Sequence, residues 1–560
     1  IIILDGTLAN VYTGEFLRGK SIAIKGERIA YIGKDPTVRV GPNTRVIDAK
    51  GMFLIPGFID PHTHCDTFQT PSEISCFALL HGTTAIITEI FSITNALGLT
   101  GAKLFLKQLK KQALHIFAVA PTISYLRGND GHGHRVITAE EMRELLKEDQ
   151  IVGMGEVSWP YVVDYHEELL ELIGHTLSLG KYVEGHSAGA RGRKLLAYLS
   201  AGVGSCHEST SEDEVWEKLR LGMWTFIREG SIRKELPGVK GIAQKGIDLR
   251  RLGLASDTIL PSQLVKEGYM DRVVERAIDM GFPPMQALQM ATINPAQRFG
   301  LERIIGGIAP GRSADIAIIP DLHNMQPLWV IARGKVAVEE GRLALPLSKD
   351  KYPTSVRQVF ARFPVFVSEG FCLPVKGKTR VISIEGEVFT KEDYIELSQE
   401  MRYQGDPQKD ILLSSVINRH NPQRSFTGLV KGFGLKCGGV ASSISFDTSD
   451  IIAVAATAHD MAAAVNRVVE LGGGIVVHAQ GNVLAELSLP IAGVESDLSL
   501  EKIAIRLEKI QKALWTLGSR LLNPLLALRT LTYYGVPHLR MADDGYYHVS
   551  RGEKVGLQHN

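Results

Sequence analysis

Between Phe58 and Asp257 the chain repeats one demanding arrangement, a short apolar run that ends in an imidazole or a carboxylate. Pro56-Gly-Phe-Ile-Asp-Pro-His62-Thr-His64 is the first and sharpest case. Val152-Gly-Met-Gly-Glu156, Val183-Glu-Gly-His186, Val203-Gly-Ser-Cys-His207-Glu208 and Leu254-Ala-Ser-Asp257 follow it. Residues two apart on an extended strand face the same side, so His62 and His64 can converge on one point. A lone His-x-His is often an ordinary turn, but the later segments make it part of a set. Polar groups buried at strand ends without partners are costly, and a divalent metal supplies partners for all of them.

The stretches between these runs read as helices. Thr138-Ala-Glu-Glu141 and Ser211-Glu-Asp-Glu214 both fit a capping box, in which hydroxyl and carboxylate each satisfy a free amide at the helix start. After the second, Val215, Leu219 and Met223 recur as a buried face. Alternating strands and helices over 56–305 are what a (β/α)₈ barrel requires, although a doubly wound sheet satisfies the same pattern. In a barrel the polar strand ends lie on the carboxyl-terminal rim, where active sites sit.

Residues 1–55 and 306–348 have β texture, with runs such as Ser21-Ile-Ala-Ile and Ala314-Asp-Ile-Ala-Ile-Ile. The later run is too short for its own core, so the two segments are expected to pair as a small β-sandwich. After a connector, residues 365–560 are expected to form a separate α+β domain. Strands are predicted there at 440–445, 451–456, 475–478 and 483–489, with helices from Asp460 to Gly472 and over 500–517.

Lys and Arg total 62 against 61 Asp and Glu, a net charge of +1 that argues against nucleic-acid or membrane-surface partners. The charge-poor region 74–102 carries Glu89 and many Thr, Ser, Asn and Gly, too polar for a membrane span. Five cysteines, none spaced as Cys-x-x-Cys, point to a reducing cytoplasm. A chain opening at Ile1 without Met is expected to have lost residues ahead of it, a targeting segment among the possibilities.

His62, His64, Glu156, His186 and His207, with Asp257 at the rim, suit a hydrolytic centre of one or two divalent transition metals. Such a centre brings the pKa of water close to neutrality. Asp257 can then take a proton from that water and pass it to a leaving group. Manganese, iron and zinc all accept such ligands. A Pro-Cys-x-x-Cys zinc-binding element is missing.

With these residues in view, the chain resembles the amidohydrolase superfamily and, nearly end to end, its adenine deaminase family. The resemblance runs through Pro56–His64, Leu80-His-Gly-Thr-Thr, Gly185-His-Ser-Ala-Gly, Cys206-His-Glu, Glu217-Lys-Leu-Arg-Leu-Gly-Met and Ile227-Arg-Glu-Gly-Ser. It continues in Gly432-Phe-Gly-Leu-Lys, Asp460-Met-Ala-Ala-Ala-Val-Asn and Leu489-Pro-Ile-Ala-Gly, which look like that family's extra domain. It implies that His62, His64, Glu156, His186 and His207 are ligands with Glu156 bridging, and that Asp257 is ligand and general base. Glu208 is implied to point into the pocket as acid/base or purine contact. The implied reaction is hydrolysis of adenine to hypoxanthine and ammonia. Hydantoinase-like relatives bridge their metals through a carboxylated lysine where Glu156 stands, which favours a deaminase.

The chain also departs from the family. Cys65-Asp66-Thr67 replaces Ile-Glu-Ser, Glu89-Ile-Phe91-Ser92-Ile replaces Asp-Pro-His-Glu-Ile, and Asp257-Thr258 replaces Asp-Asp. The extra domain lacks the family's His near Ser445-Phe446-Asp447. Asp66, Glu89 and Ser92, at or beside these changes, are expected to contact the substrate. The competing readings are deamination of an N6-substituted adenine or another aminated heterocycle, and a non-catalytic member that keeps metal for stability and binds a ligand. Gly131-His132-Gly-His134 reads as a lid or solvated turn, with a contribution to the site as the alternative. The expected partners are a small purine and a second copy of the chain, as a dimer.

Overall fold

The computed structural model describes residues 1–35, 40–126, 136–346, 348–536 and 538–558. The Gly131–His134 segment lies outside them. Eight parallel strands form the central sheet. They are β1 (Phe58–His64), β2 (Thr83–Glu89), β3 (His115–Pro121), β4 (Ile151–Ser158), β5 (Tyr182–His186), β6 (Ser205–Cys206), β7 (Trp224–Arg228) and β8 (Leu252–Ala255). Each pairs with the next in sequence order.

The ends of the sheet meet, which decides for a barrel over a doubly wound sheet. Asp257 N donates to His62 O at 2.9 Å, and Thr63 and Asp257 form a parallel bridge. Beneath that seam Asp60, fully buried on β1, accepts from Ser256 N at 3.2 Å and Tyr269 Oη at 2.7 Å. Burial pushes its carboxyl up to about 6, with these hydrogen bonds opposing. The polar strand ends identified from sequence therefore share one rim.

The helix starts follow the sequence unevenly. At Thr138 both halves of the capping box form, with Glu141 N donating to Oγ1 at 3.2 Å and Thr138 N to Glu141 Oε2 at 2.8 Å. At Ser211 only the hydroxyl half forms, because Glu214 Oε2 accepts from Thr210 N at 2.8 Å instead. The helix it starts, Glu212–Arg220, stops before Met223. Its buried residues are Val215 and Lys218 rather than Leu219. Lys218 is drawn inward because Nζ donates to Glu208 O and Ser209 Oγ, each at 2.9 Å, tying this helix to the loop after β6.

The strands before and after the barrel form one continuous nine-stranded sheet. Ile316–Ile319 pairs antiparallel with Phe53–Pro56, which lies beside Ile2–Asn10. Alternating Ile3, Ile22, Leu54, Ile316 and Ile318 fill its core.

The C-terminal part centres on a second eight-stranded sheet. Alternation along its strands feeds two cores. Leu413, Ala441 and Ala453 face helix Ala458–Glu470, while Leu412, Val440 and Val454 face helix Leu500–Thr516. The long hairpin Leu373–Ile384 and Thr390–Tyr403, and the small sheet beginning at Leu539–Ala542, carry too weak an alternation to be read from sequence. This part docks on the barrel rim. Phe68 N donates to Val494 O at 2.9 Å, and Ser496 N donates to Phe68 O at 2.7 Å. No described helix is long and apolar enough to cross a membrane.

Candidate metal centre

At the carboxyl end of β4 the backbone of Glu156 turns into the left-handed region, φ 49°, and swings its carboxylate over the barrel mouth. Its Oε1 lies 3.2 Å from His186 Nε2, 3.5 Å from His64 Nε2 and 3.6 Å from His62 Nε2. Across the mouth Asp257, also at positive φ (56°), brings Oδ1 to 3.3 Å from His64 Nε2. His207 Nε2 stands 3.1 Å from His186 Nε2. The residues expected as ligands are therefore gathered in two sets that share one carboxylate oxygen, the place for a bridging group.

Bond lengths of about 2.0–2.1 Å to a tetrahedral ion put its donors about 3.3–3.4 Å apart. The separations here bracket that value. His62 Nε2, buried, and Glu156 Oε2 have no hydrogen-bond partner among the described residues, a costly state that a cation removes. The charge balance agrees. Burial opposes protonation of His62, yet Glu184, Asp257 and Glu156 raise it to about 9. The cluster is short of positive charge, and a divalent cation competes with protons for it.

Glu184 is the residue that sequence reasoning missed. Its Oε1 lies 3.3 Å from His62 Nδ1 and 3.2 Å from His207 Nδ1, with the two rings stacked at 3.7 Å. Hydrogen bonds to Nδ1 leave both Nε2 atoms available to an ion and hold the two rings in place. The signal was present in β5, where strand alternation puts 184 and 186 on one face. Glu184→Gln is expected to weaken metal affinity by about 10–100-fold, read by competition with a chelator. An unchanged affinity would assign the orientation to something else.

Arg228, at the end of β7, also went unread. Its Nη1 donates to Asp257 Oδ2 at 3.1 Å, while Nη2 donates to Glu235 Oε1 at 2.6 Å. Burial raises the Asp257 carboxyl, but the His64 hydrogen bond and the Arg228 charge prevail and hold it well below the usual range. Glu208 lines the cavity, anchored where Oε2 accepts from Ala188 N at 3.0 Å.

The residues expected to contact substrate are placed differently. Asp66 is fully buried, with Oδ2 accepting from Ile93 N at 3.0 Å in the first turn of helix Phe91–Leu109. Ser92 is buried against Thr67 Oγ1 at 2.9 Å. Neither lines the cavity over the metal donors. A buried side chain beside a helix start satisfies the free amides there, a demand the changed motif did not reveal. Glu89, beside His64 in the sheet register, is also buried and off the cavity wall. It lies against Gly155, where no side chain would fit. Burial and the neighbouring Glu156 and Glu184 raise its carboxyl far above the usual range. Cys65 and Cys206 are packed thiols.

A barrel whose rim gathers imidazoles around a shared carboxylate, with an arginine-paired aspartate after the last strand, is the arrangement of a metal-dependent hydrolase. Residues 53–337 match the Amidohydrolase family, and residues 387–553 match the Adenine deaminase C-terminal domain. The chain is 34% identical to the adenine deaminase of Clostridium botulinum (strain 657 / Type Ba4), covering 100% of this chain and 95% of that one. It is 35% identical to that of Moorella thermoacetica, over 99% and 95% of the two chains. Among solved structures it is similar to a β-aspartyl dipeptidase from Fervidobacterium islandicum, with 18% identity, TM-score 0.49 and coverage of 62% and 98%. The chain belongs to the adenine deaminase family of the amidohydrolase superfamily.

Proposed function

We propose that this chain hydrolyses adenine to hypoxanthine and ammonia, using divalent metal held by His62, His64, Glu156, His186, His207 and Asp257. One observation carries the reading. In a chain similar along its length to adenine deaminases, His62, His64 and His186 meet around one carboxylate oxygen of Glu156, with Asp257 beside His64 and His207 beside His186. Bound there, a divalent cation supplies Lewis-acid chemistry and brings the pKa of water near neutrality. Manganese, iron and zinc all suit the donor set.

The chain's own residues handle protons and position. Glu184 fixes the tautomers of His62 and His207. Arg228 keeps Asp257 ionised, so a carboxylate oxygen is ready to accept a proton from the attacking water. As the oxygen–C6 bond forms, Asp257 passes that proton to the exocyclic nitrogen. The C6–N bond then breaks and nitrogen departs as ammonia. Glu208 lines the same cavity from the barrel side, as an acceptor for N–H groups of the base or as the second proton carrier.

The test is ammonia release from adenine, adenosine, guanine and cytosine by protein loaded separately with manganese, iron or zinc. Adenine is expected to be consumed with hypoxanthine as product. No ammonia from adenine with any of the three metals would overturn the reading.

A further inference from the structure

The active-site cavity, about 410 Å³, is lined jointly by the barrel and the C-terminal part. The barrel contributes Glu156, His186 and Glu208, and the C-terminal part contributes Phe446, Tyr533 and Gly535. A smaller adjoining cavity of about 110 Å³ is lined by Glu156, His186, Tyr533 and Gly535 as well. Tyr533 therefore stands where the two spaces join, at the place that two side chains of the metal centre also line.

The surroundings hold the phenol there. Tyr533 follows helix Pro524–Thr530, and its N donates to Thr530 O at 3.0 Å. Its ring packs 5.6 Å from that of Phe446, over which Arg529 lies at 4.6 Å. Gly535 leaves the phenol its room, since a Cβ at that position would stand 2.5 Å from both Cζ and Oη. Burial, then the carboxylates of Glu208, Asp447 and Glu156, push the hydroxyl well above its usual range, with Arg228 opposing. The hydroxyl thus lies among charges of both parts and stays protonated, able to donate. Among the described residues it has no hydrogen-bond partner. The other hydroxyl side chains of the larger cavity are spent. Thr210 donates to Glu214 Oε2 at 3.2 Å, Thr258 to Asp257 Oδ1 at 3.3 Å and Thr530 to Glu387 O at 2.9 Å.

We propose that Tyr533 is a specificity-determining residue of the active site, a phenol from the C-terminal part whose hydroxyl donates to a ring nitrogen of the base. The proposal rests on the deaminase reading above. Carboxylates on the cavity lining, Glu208 among them, can take the N–H groups of adenine, but its ring nitrogens are acceptors and need a donor. Arg228 is committed to Asp257 and Glu235. The Tyr533 hydroxyl is uncommitted, and a neutral donor suits a neutral base. A site that hydrogen-bonds one atom of its substrate discriminates against an analogue lacking that atom.

Two variants separate the hydroxyl from its surroundings. Tyr533→Phe keeps the ring and its packing on Phe446 and removes only the hydroxyl, while Gly535→Ala keeps the hydroxyl and displaces it. Both are assayed with adenine, and with 1-, 3- and 7-deazaadenine as competing ligands, each of which lacks one ring nitrogen. Thermal melting and metal content are checked for every sample. Tyr533→Phe is expected to raise KM for adenine about fivefold to tenfold with kcat little changed, the size of one neutral hydrogen bond lost from uniform binding. Gly535→Ala is expected to raise KM in the same direction. The wild type is expected to disfavour one of the three analogues by a similar factor, and Tyr533→Phe to lose that preference. An unchanged KM in either variant, a fall in kcat alone, or analogue preferences that all survive Tyr533→Phe overturns the proposal and leaves the deaminase reading standing. Wild-type protein that releases no ammonia from adenine removes the reading and the proposal together.

Discussion

Asp257→Asn is expected to turn over adenine at least about a hundredfold more slowly than the wild type, the usual scale for losing a general acid–base group. Substrate affinity is expected to change little. The amide keeps the size of the side chain and one oxygen toward His64, and asparagine tolerates the φ of 56° at this position. Arg228 loses one carboxylate but keeps Glu235, so the guanidinium is not left unpaired. What disappears is a site for the proton. An amine leaves an aromatic carbon readily only once protonated, and the water that attacks has a proton to lose. One carboxylate beside both serves each half of the reaction.

Glu208 is the rival for the second half, because it shares the cavity and stands 3.9 Å from the same guanidinium. Glu208→Gln separates the roles. If Glu208 only binds the base, its loss raises KM. If it delivers the second proton, it lowers kcat as Asp257→Asn does. Turnover is measured with the metal content of every sample determined. A fully loaded Asp257→Asn enzyme at the wild-type rate would remove Asp257 from the proton path.

The barrel was legible because its constraint repeats. Each apolar run ending in His or Glu is a local pattern, and the rim is where such runs must end. His62, His64, Glu156, His186, His207 and Asp257, which the fold brings together on that rim, were all picked out on that basis. Glu184 hides inside one of the same motifs, since a carboxylate two residues before a ligand reads as part of the run. Arg228 and Asp447 come to the cavity through long-range geometry. Asp447 lines the cavity from the C-terminal part, and its carbonyl accepts from Asn95, 352 positions earlier. Local periodicity carries no record of such a pairing. Asp66 and Ser92 fail in the opposite direction. They stand at changed motif positions, yet the space between β1 and the following helix claims them for amide and hydroxyl contacts.

Changing His62 and His64 together to Ala is expected to empty the metal centre and abolish turnover. Both imidazoles project from one face of β1, and both reach the shared oxygen of Glu156. Without them one donor set keeps only Glu156 and Asp257, a pair of hard oxygen donors with little hold on a transition metal. The other set loses its support as well, because His62 stacks on His207 and shares the orienting carboxylate of Glu184. Loss at one set therefore spreads to the other through a defined contact. Elemental analysis of protein expressed with manganese checks this, with circular dichroism to confirm the fold. The wild type is expected to retain one or two transition metal ions per chain, and the double variant close to none. Metal-free wild-type protein under those conditions would defeat the assignment of the centre. A double variant with undiminished metal would move the ligands elsewhere on the rim.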